Sequence, residues 1–127
     1  MSYLRKGVSA SLEIASMTSP QARKGASFER DVVAYLQNHG YPHVERAYGA
    51  GRPEDVGDLD GIPGWTLELK NHARLALAEW CDEAEAERVN GRRRHWAVIF
   101  KRRRKPIGEC YVVVSLETFA HLVSGPD

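Results

Sequence analysis

The 127 residues suffice for one hydrophobic core rather than two, and every apolar run is too short to cross a bilayer, so an integral helical membrane protein is excluded. No basic start leads into an apolar stretch of the kind that directs secretion, and Cys81 and Cys110 fit neither a zinc spacing nor a disulfide framework; reduced thiols in a cytoplasmic protein are expected. The net charge of +1 taken alone argues against a polyanion partner, but it is a cancellation: Arg92 to Lys105 carries eight basic and no acidic residues, just after the acidic stretch from Glu79 to Glu87. A dense local basic run is what phosphate binding needs, because the field at a surface follows nearby charges more than the total.

Residues 1–20, rich in Ser and Ala, read as a flexible leader, and residues 21–127 as one domain. Phe28, Val32, Tyr35 and Leu36 recur at helical spacing and predict an amphipathic helix over 21–38, stopped by Asn38-His39-Gly40 and Pro42. A short strand over 43–48 follows, then the loop Gly49-Ala50-Gly51-Arg52-Pro53-Glu54-Asp55. Asp58 to Ile62 and Trp65 to Lys70 form a hairpin about Pro63-Gly64. A helix over 76–90 comes next, with Leu77, Trp80, Ala84 and Val89 as its buried stripe and its acidic residues as a solvated face, too spread around the helix for a metal role. The strand His95–Lys101 is apolar almost throughout and belongs at the centre of a sheet. After the basic turn come a strand over 109–115 and a short helix over 117–123. The order α-β-β-β-α-β-β-α, helices covering a mixed sheet, predicts an α/β domain.

The chemistry concentrates at Asp58, followed after nine residues by Glu68-Leu69-Lys70. Alternate strand residues share a face, so Glu68 and Lys70 project together while Leu67 and Leu69 face away. Asp58, on the other arm of the hairpin, reaches the same side if the register permits. Two carboxylates held together repel, and a divalent cation with oxygen ligands relieves them; Mg²⁺ suits so hard a site. Asp58, Glu68 and the backbone carbonyl of Leu69 are the candidate ligands, with Lys70 beside them to orient or deprotonate a water or to steady a charged transition state. By itself, Glu-x-Lys on an edge strand is as readily a cross-face ion pair.

Gly57-Asp58-Leu59 followed by Leu67-Glu68-Leu69-Lys70 resembles the core of the PD-(D/E)XK nuclease superfamily. Lys24-Gly25-Ala26-Ser27-Phe28-Glu29-Arg30 resembles the preceding helix of Holliday junction resolvases of the archaeal type and their phage relatives, and Tyr48-Gly49-Ala50-Gly51 resembles their junction-facing loop. The resemblance spans Lys24 to Phe119. It implies a restriction-endonuclease-like fold, Glu29 as a further catalytic residue with Asp58, Glu68 and Lys70, Mg²⁺ or Mn²⁺ as cofactor, four-way DNA junctions as substrate, and a two-fold homodimer in a bacterial or phage-infected cytoplasm. The Pro that precedes the motif aspartate in the family is absent, Val56-Gly57 standing there, and Asp55 and Asp60 compete with Asp58; Asp60 is the second choice.

Lys101-Arg102-Arg103-Arg104-Lys105 is placed at a hairpin tip able to straddle a duplex backbone, with Arg92-Arg93-Arg94 extending that track and Arg23, Lys24, Arg46 and Arg52 as further phosphate contacts. His72 shares strand parity with Glu68 and Lys70 and is a possible contact to phosphate or metal; His39, His43, His95 and His121 read as structural. Other PD-(D/E)XK nucleases (nicking, repair or restriction type) would share these residues, and a non-catalytic DNA-binding protein on the same fold is the third reading.

Overall fold

The computed structural model describes residues 19–47 and 55–125. The first helix, α1, spans Pro20–Gln37. Ser19 caps it, its side chain accepting from the Ala22 amide at 3.0 Å, and Pro20 in the first turn lacks only an N–H that would have no helical partner. The helix expected over 21–38 thus starts one residue earlier and ends one earlier, with Ser19 as its cap, and residues 1–18 of the expected leader lie outside the described ones.

Strands β1 (Glu45–Arg46), β2 (Leu59–Asp60) and β3 (Trp65–Lys70) form an antiparallel meander. Helix α2 (Leu77–Asn90) carries the chain across one face to β4 (His95–Phe100), which runs parallel to β3 over the whole of both strands. A 3₁₀ turn at Ile107–Glu109 precedes β5 (Tyr111–Val113), antiparallel to β4, and α3 (Leu116–Val123) is the last described element. The result is an open, mixed, five-stranded sheet ordered β1-β2-β3-β4-β5 with three helices among the described residues. The predicted element order holds. The strands over 43–48 and 109–115 shorten to two and three residues, because the turn at Tyr41–Val44 and the 3₁₀ turn take up their flanks.

Two packing layers follow from strand parity. Leu67 and Leu69 of β3 and Ala97 and Ile99 of β4 face α1 and bury Phe28 and Val32 together with Val44 and Leu59. On the other face Val98 packs under Trp80 and Ala84 of α2, bordered by Trp96, Phe100 and Val113. β4 contributes to both layers, as its apolar run predicted. Gly61 is fixed by space: its φ is +110°, and a Cβ there would lie 2.3 Å from the His43 carbonyl oxygen.

Candidate functional site

The face of β3 that meets α2 is polar at its centre. Thr66 and Glu68 are buried on it and Lys70 sits at its end, while Leu67 and Leu69 supply the other face. Pairing of Leu59 with Leu67 sets Asp58 across from Glu68 and so on the same face. Two bonds pin Asp58 there: its amide donates to the Leu67 carbonyl at 2.8 Å, and its Oδ2 accepts from the Leu69 amide at 2.7 Å. In a strand the N–H and C=O of one residue point to the same side. The Leu69 carbonyl therefore also faces the open edge beside Asp58, which suits it as an oxygen ligand.

Lys70 Nζ lies 3.2 Å from Glu68 Oε2 and 2.7 Å from Glu83 Oε1. Glu68, Glu83 and Glu87 bring one carboxylate oxygen each within 4.8 Å of one another and could hold a metal ion. This corrects the expectation of a solvated acidic face with no metal role. Glu79, Asp82 and Glu85 do point outward, but Glu87 is only 3% exposed, and Leu77 and Val89, assigned to the buried stripe, are exposed. The spacing carried the signal: Trp80, Ala84 and Glu87 fall at i, i+4 and i+7 on one stripe, with Glu83 one turn from Trp80 and Glu87.

The electrostatics are those of carboxylates short of counter-charge. Neither oxygen of Glu87 has a hydrogen-bond partner, and Oε1 of the buried Glu68 has none. Burial, then the facing Glu87 carboxyl, pushes Glu68 up to about 9. Burial, then the charges of Asp55 and Asp58, pushes Glu87 to about 8. Asp58 is raised by burial and by Glu68 in spite of its bond from Leu69. Burial works against the Lys70 ammonium, but hydrogen bonds and charge from Glu83 and Glu68 prevail and raise its pKa. One ammonium thus serves Glu68 and Glu83, while Asp58 and Glu87 crowd Glu68 further, and near neutral pH Glu68 and Glu87 must hold protons or a cation. A hard divalent ion fits the all-oxygen donor set and would satisfy the orphaned oxygens.

The other predicted residues distribute unevenly. Glu29 is near enough to Asp58 for its charge to act on it, and Arg46 bridges to it at 2.7 Å, so Arg46 has an internal partner. Asp60 is bound by Arg93 at 3.1 Å and takes no part in the carboxylate cluster. Asp55 accepts from the Gly57 amide. His72 sits at the exposed rim, its ring 5.7 Å from Trp80. Arg23, Lys24, Lys101, Arg103 and Arg104 converge with Ser27 and Asn71 on an open groove of about 850 Å³, and Asn71 donates to the Lys24 carbonyl. That groove begins next to Lys70, since the Lys101 amide donates to the Lys70 carbonyl. Arg92, Arg93 and Arg94 do not extend it. They lie at the opposite end of β4, with Arg93 spent on the Trp65 carbonyl at 2.7 Å and on Asp60. Arg52 and the loop Tyr48-Gly49-Ala50-Gly51 lie outside the described residues. Both cysteines are free thiols, and no described helix is long and apolar enough to cross a membrane.

No family model, curated protein or solved structure matches the chain.

Proposed function

We propose that the chain is a metal-dependent endonuclease that hydrolyses phosphodiesters in branched DNA, four-way junctions above all, on a PD-(D/E)XK core. One observation carries this reading: Asp58, Glu68 and Lys70 share one face, where buried carboxylate oxygens lack any donor and a basic groove begins at the next residues. An antiparallel meander followed by a helical crossover to a parallel strand suits that core. Asp58, Glu68 and the Leu69 carbonyl would hold Mg²⁺, or Mn²⁺ in its place, with Glu83 and Glu87 able to complete the set on the α2 side. Bound there, the ion would polarise the phosphate and lower the pKa of a water.

The chain's own residues account for the rest. Lys70, anchored through Glu68 and Glu83, presents an ammonium donor at the mouth of the site, where it can orient the attacking water and stabilise charge gathering on the phosphoryl oxygens. Arg46 keeps Glu29 turned to the edge of the cluster near Asp58. Arg23, Lys24, Lys101, Arg103 and Arg104 hold the strand by its phosphates without reading bases, in keeping with selection by branch structure rather than by sequence. Attack at phosphorus with departure of the 3′ oxygen leaves a 5′-phosphate and a 3′-hydroxyl. Two matched cuts across a junction need two such sites, hence a two-fold homodimer.

The test is cleavage of a labelled four-way junction beside a matching linear duplex, in Mg²⁺, in Mn²⁺ and in EDTA, with Lys70→Ala as control. Paired metal-dependent nicks in the junction alone, lost in the variant, support the proposal. Cutting of both substrates retains the nuclease and discards the junction preference. Tight junction binding with no cutting in either metal would overturn the enzyme and leave a DNA-binding protein.

A further inference from the structure

Beyond the carboxylates the same face continues as an aromatic row. Lys70 pairs with Phe100 and Phe100 with Tyr111, so the three share one line across the end of the sheet, with neighbouring strands about 4.8 Å apart. The rings touch in sequence: His72 lies 5.7 Å from Trp80, Trp80 5.7 Å from Phe100, and Phe100 meets Tyr111 edge-on at 5.4 Å. Only the two ends of the row are open, His72 being exposed and Tyr111 half exposed, and both border a recess of about 320 Å³ with Phe100 between them. The recess is rimmed by Lys101, Arg102 and Lys105. Arg102 lies over the Tyr111 ring at 4.5 Å, held by its bond to the Glu109 carbonyl at 3.1 Å and its ion pair with the Glu109 carboxylate at 3.8 Å, which leaves Lys101 and Lys105 as the cations open to phosphate.

An exposed and a half-exposed ring beside ammonium groups form a combination that can grip an unpaired base while neutralising its phosphates. A paired base offers its edges to a groove but not its faces, so such a recess discriminates against intact duplex. From this we infer that the recess between His72 and Tyr111 is a stacking subsite for one unpaired nucleobase of DNA, a strand or two from Lys70, and that it supplies the preference for branched over linear substrate. The inference rests on the nucleic-acid reading of the adjoining site but needs no hydrolysis.

A single-stranded oligothymidylate carrying one 2-aminopurine, titrated with the full chain in EDTA at low salt, reads the subsite directly. Binding should quench the probe. Tyr111→Ala should weaken single-strand affinity by about tenfold, as loss of one base–aromatic stack does, while Tyr111→Phe retains it. The affinity of Tyr111→Ala for a fully paired duplex should change by less than about twofold. His72→Ala, at the exposed rim with the Trp80 ring beside it, gives a second, smaller loss of the same selectivity should Tyr111→Ala unfold. Equal loss of single-strand and duplex affinity, or unchanged single-strand affinity and quenching in both alanine variants, would overturn the subsite. Failure of the nuclease reading has a different signature: no junction cleavage in Mg²⁺ or Mn²⁺, with the 2-aminopurine response intact.

Discussion

Replacing Glu87 by Gln should stabilise the metal-free protein while depriving it of its response to metal. In the fold Glu87 holds its proton up to about pH 8, against an ordinary 4.5, so at pH 7 it must be kept neutral across roughly 2.5 pH units. At 1.36 kcal/mol per unit, that is a penalty of about 3 kcal/mol relative to the unfolded chain. Gln matches the neutral carboxyl in shape, needs no proton, and keeps a hydrogen-bond donor toward Glu68. Because Glu68 and Glu87 share the penalty, a gain of about 1–3 kcal/mol is expected, or roughly 4–12 °C in Tm for a chain of this size. The assay is thermal unfolding at pH 7 in EDTA and in millimolar Mn²⁺. The wild type should gain several degrees on adding Mn²⁺, since a ligand at 100 times its Kd contributes about 2.7 kcal/mol, and Glu87→Gln should gain little. A variant less stable than wild type in EDTA, or one keeping the full Mn²⁺ response, would refute the reasoning.

The same groups set a pH profile. Asp58, Glu68 and Glu87 all have folded-state pKa values above their unfolded ones, so the folded chain binds more protons, and metal-free stability should fall as pH rises from about 4.5 to 9, seen as a falling urea midpoint. Saturating Mn²⁺ should flatten or reverse that slope. The two basic runs should separate in a salt titration: Lys101→Ala with Arg103→Ala should weaken duplex binding and reduce the salt slope by nearly two, whereas Arg93→Ala should leave the slope alone and cost about 1–3 kcal/mol by removing the guanidinium bonds to Asp60 and the Trp65 carbonyl. Gly61→Ala, which forces a Cβ against the His43 carbonyl, should destabilise by several kcal/mol in chemical denaturation and leave no soluble protein if the chain cannot yield there.

Much of this was legible from periodicity. Alternation along Trp65–Lys70 put Glu68 and Lys70 on one face, and the unbroken apolar run Trp96–Phe100 marked β4 as interior and covered on both faces, because strand parity depends on local geometry alone; the central place expected for β4 belongs to β3, with β4 fourth of five. Glu87 was missed because a carboxylate inside a buried stripe contradicts the rule that charge faces water; the rule fails where a cation or a shared proton completes the group. Arg92–Arg94 and Lys101–Lys105 are neighbours in sequence, but the six extended residues of β4 between them span about 20 Å and set them at opposite ends of the sheet. Arg23 and Lys24, far away in the chain, join Lys101 and Arg103 only through the packing of α1, which no short-range pattern records.

The carboxylates at the head of the basic groove carry a thermodynamic consequence. Without a cation, Glu68 and Glu87 hold protons near neutral pH and Glu83 is paired with Lys70, so an ion that enters the cluster must displace those protons. On the proposed reading, an ion held there would attract an approaching phosphate, and reciprocity would then require bound DNA to raise the affinity for the ion by the same factor. Each ligand would then recruit the other, and the cluster would fill more readily where a strand already lies in the groove.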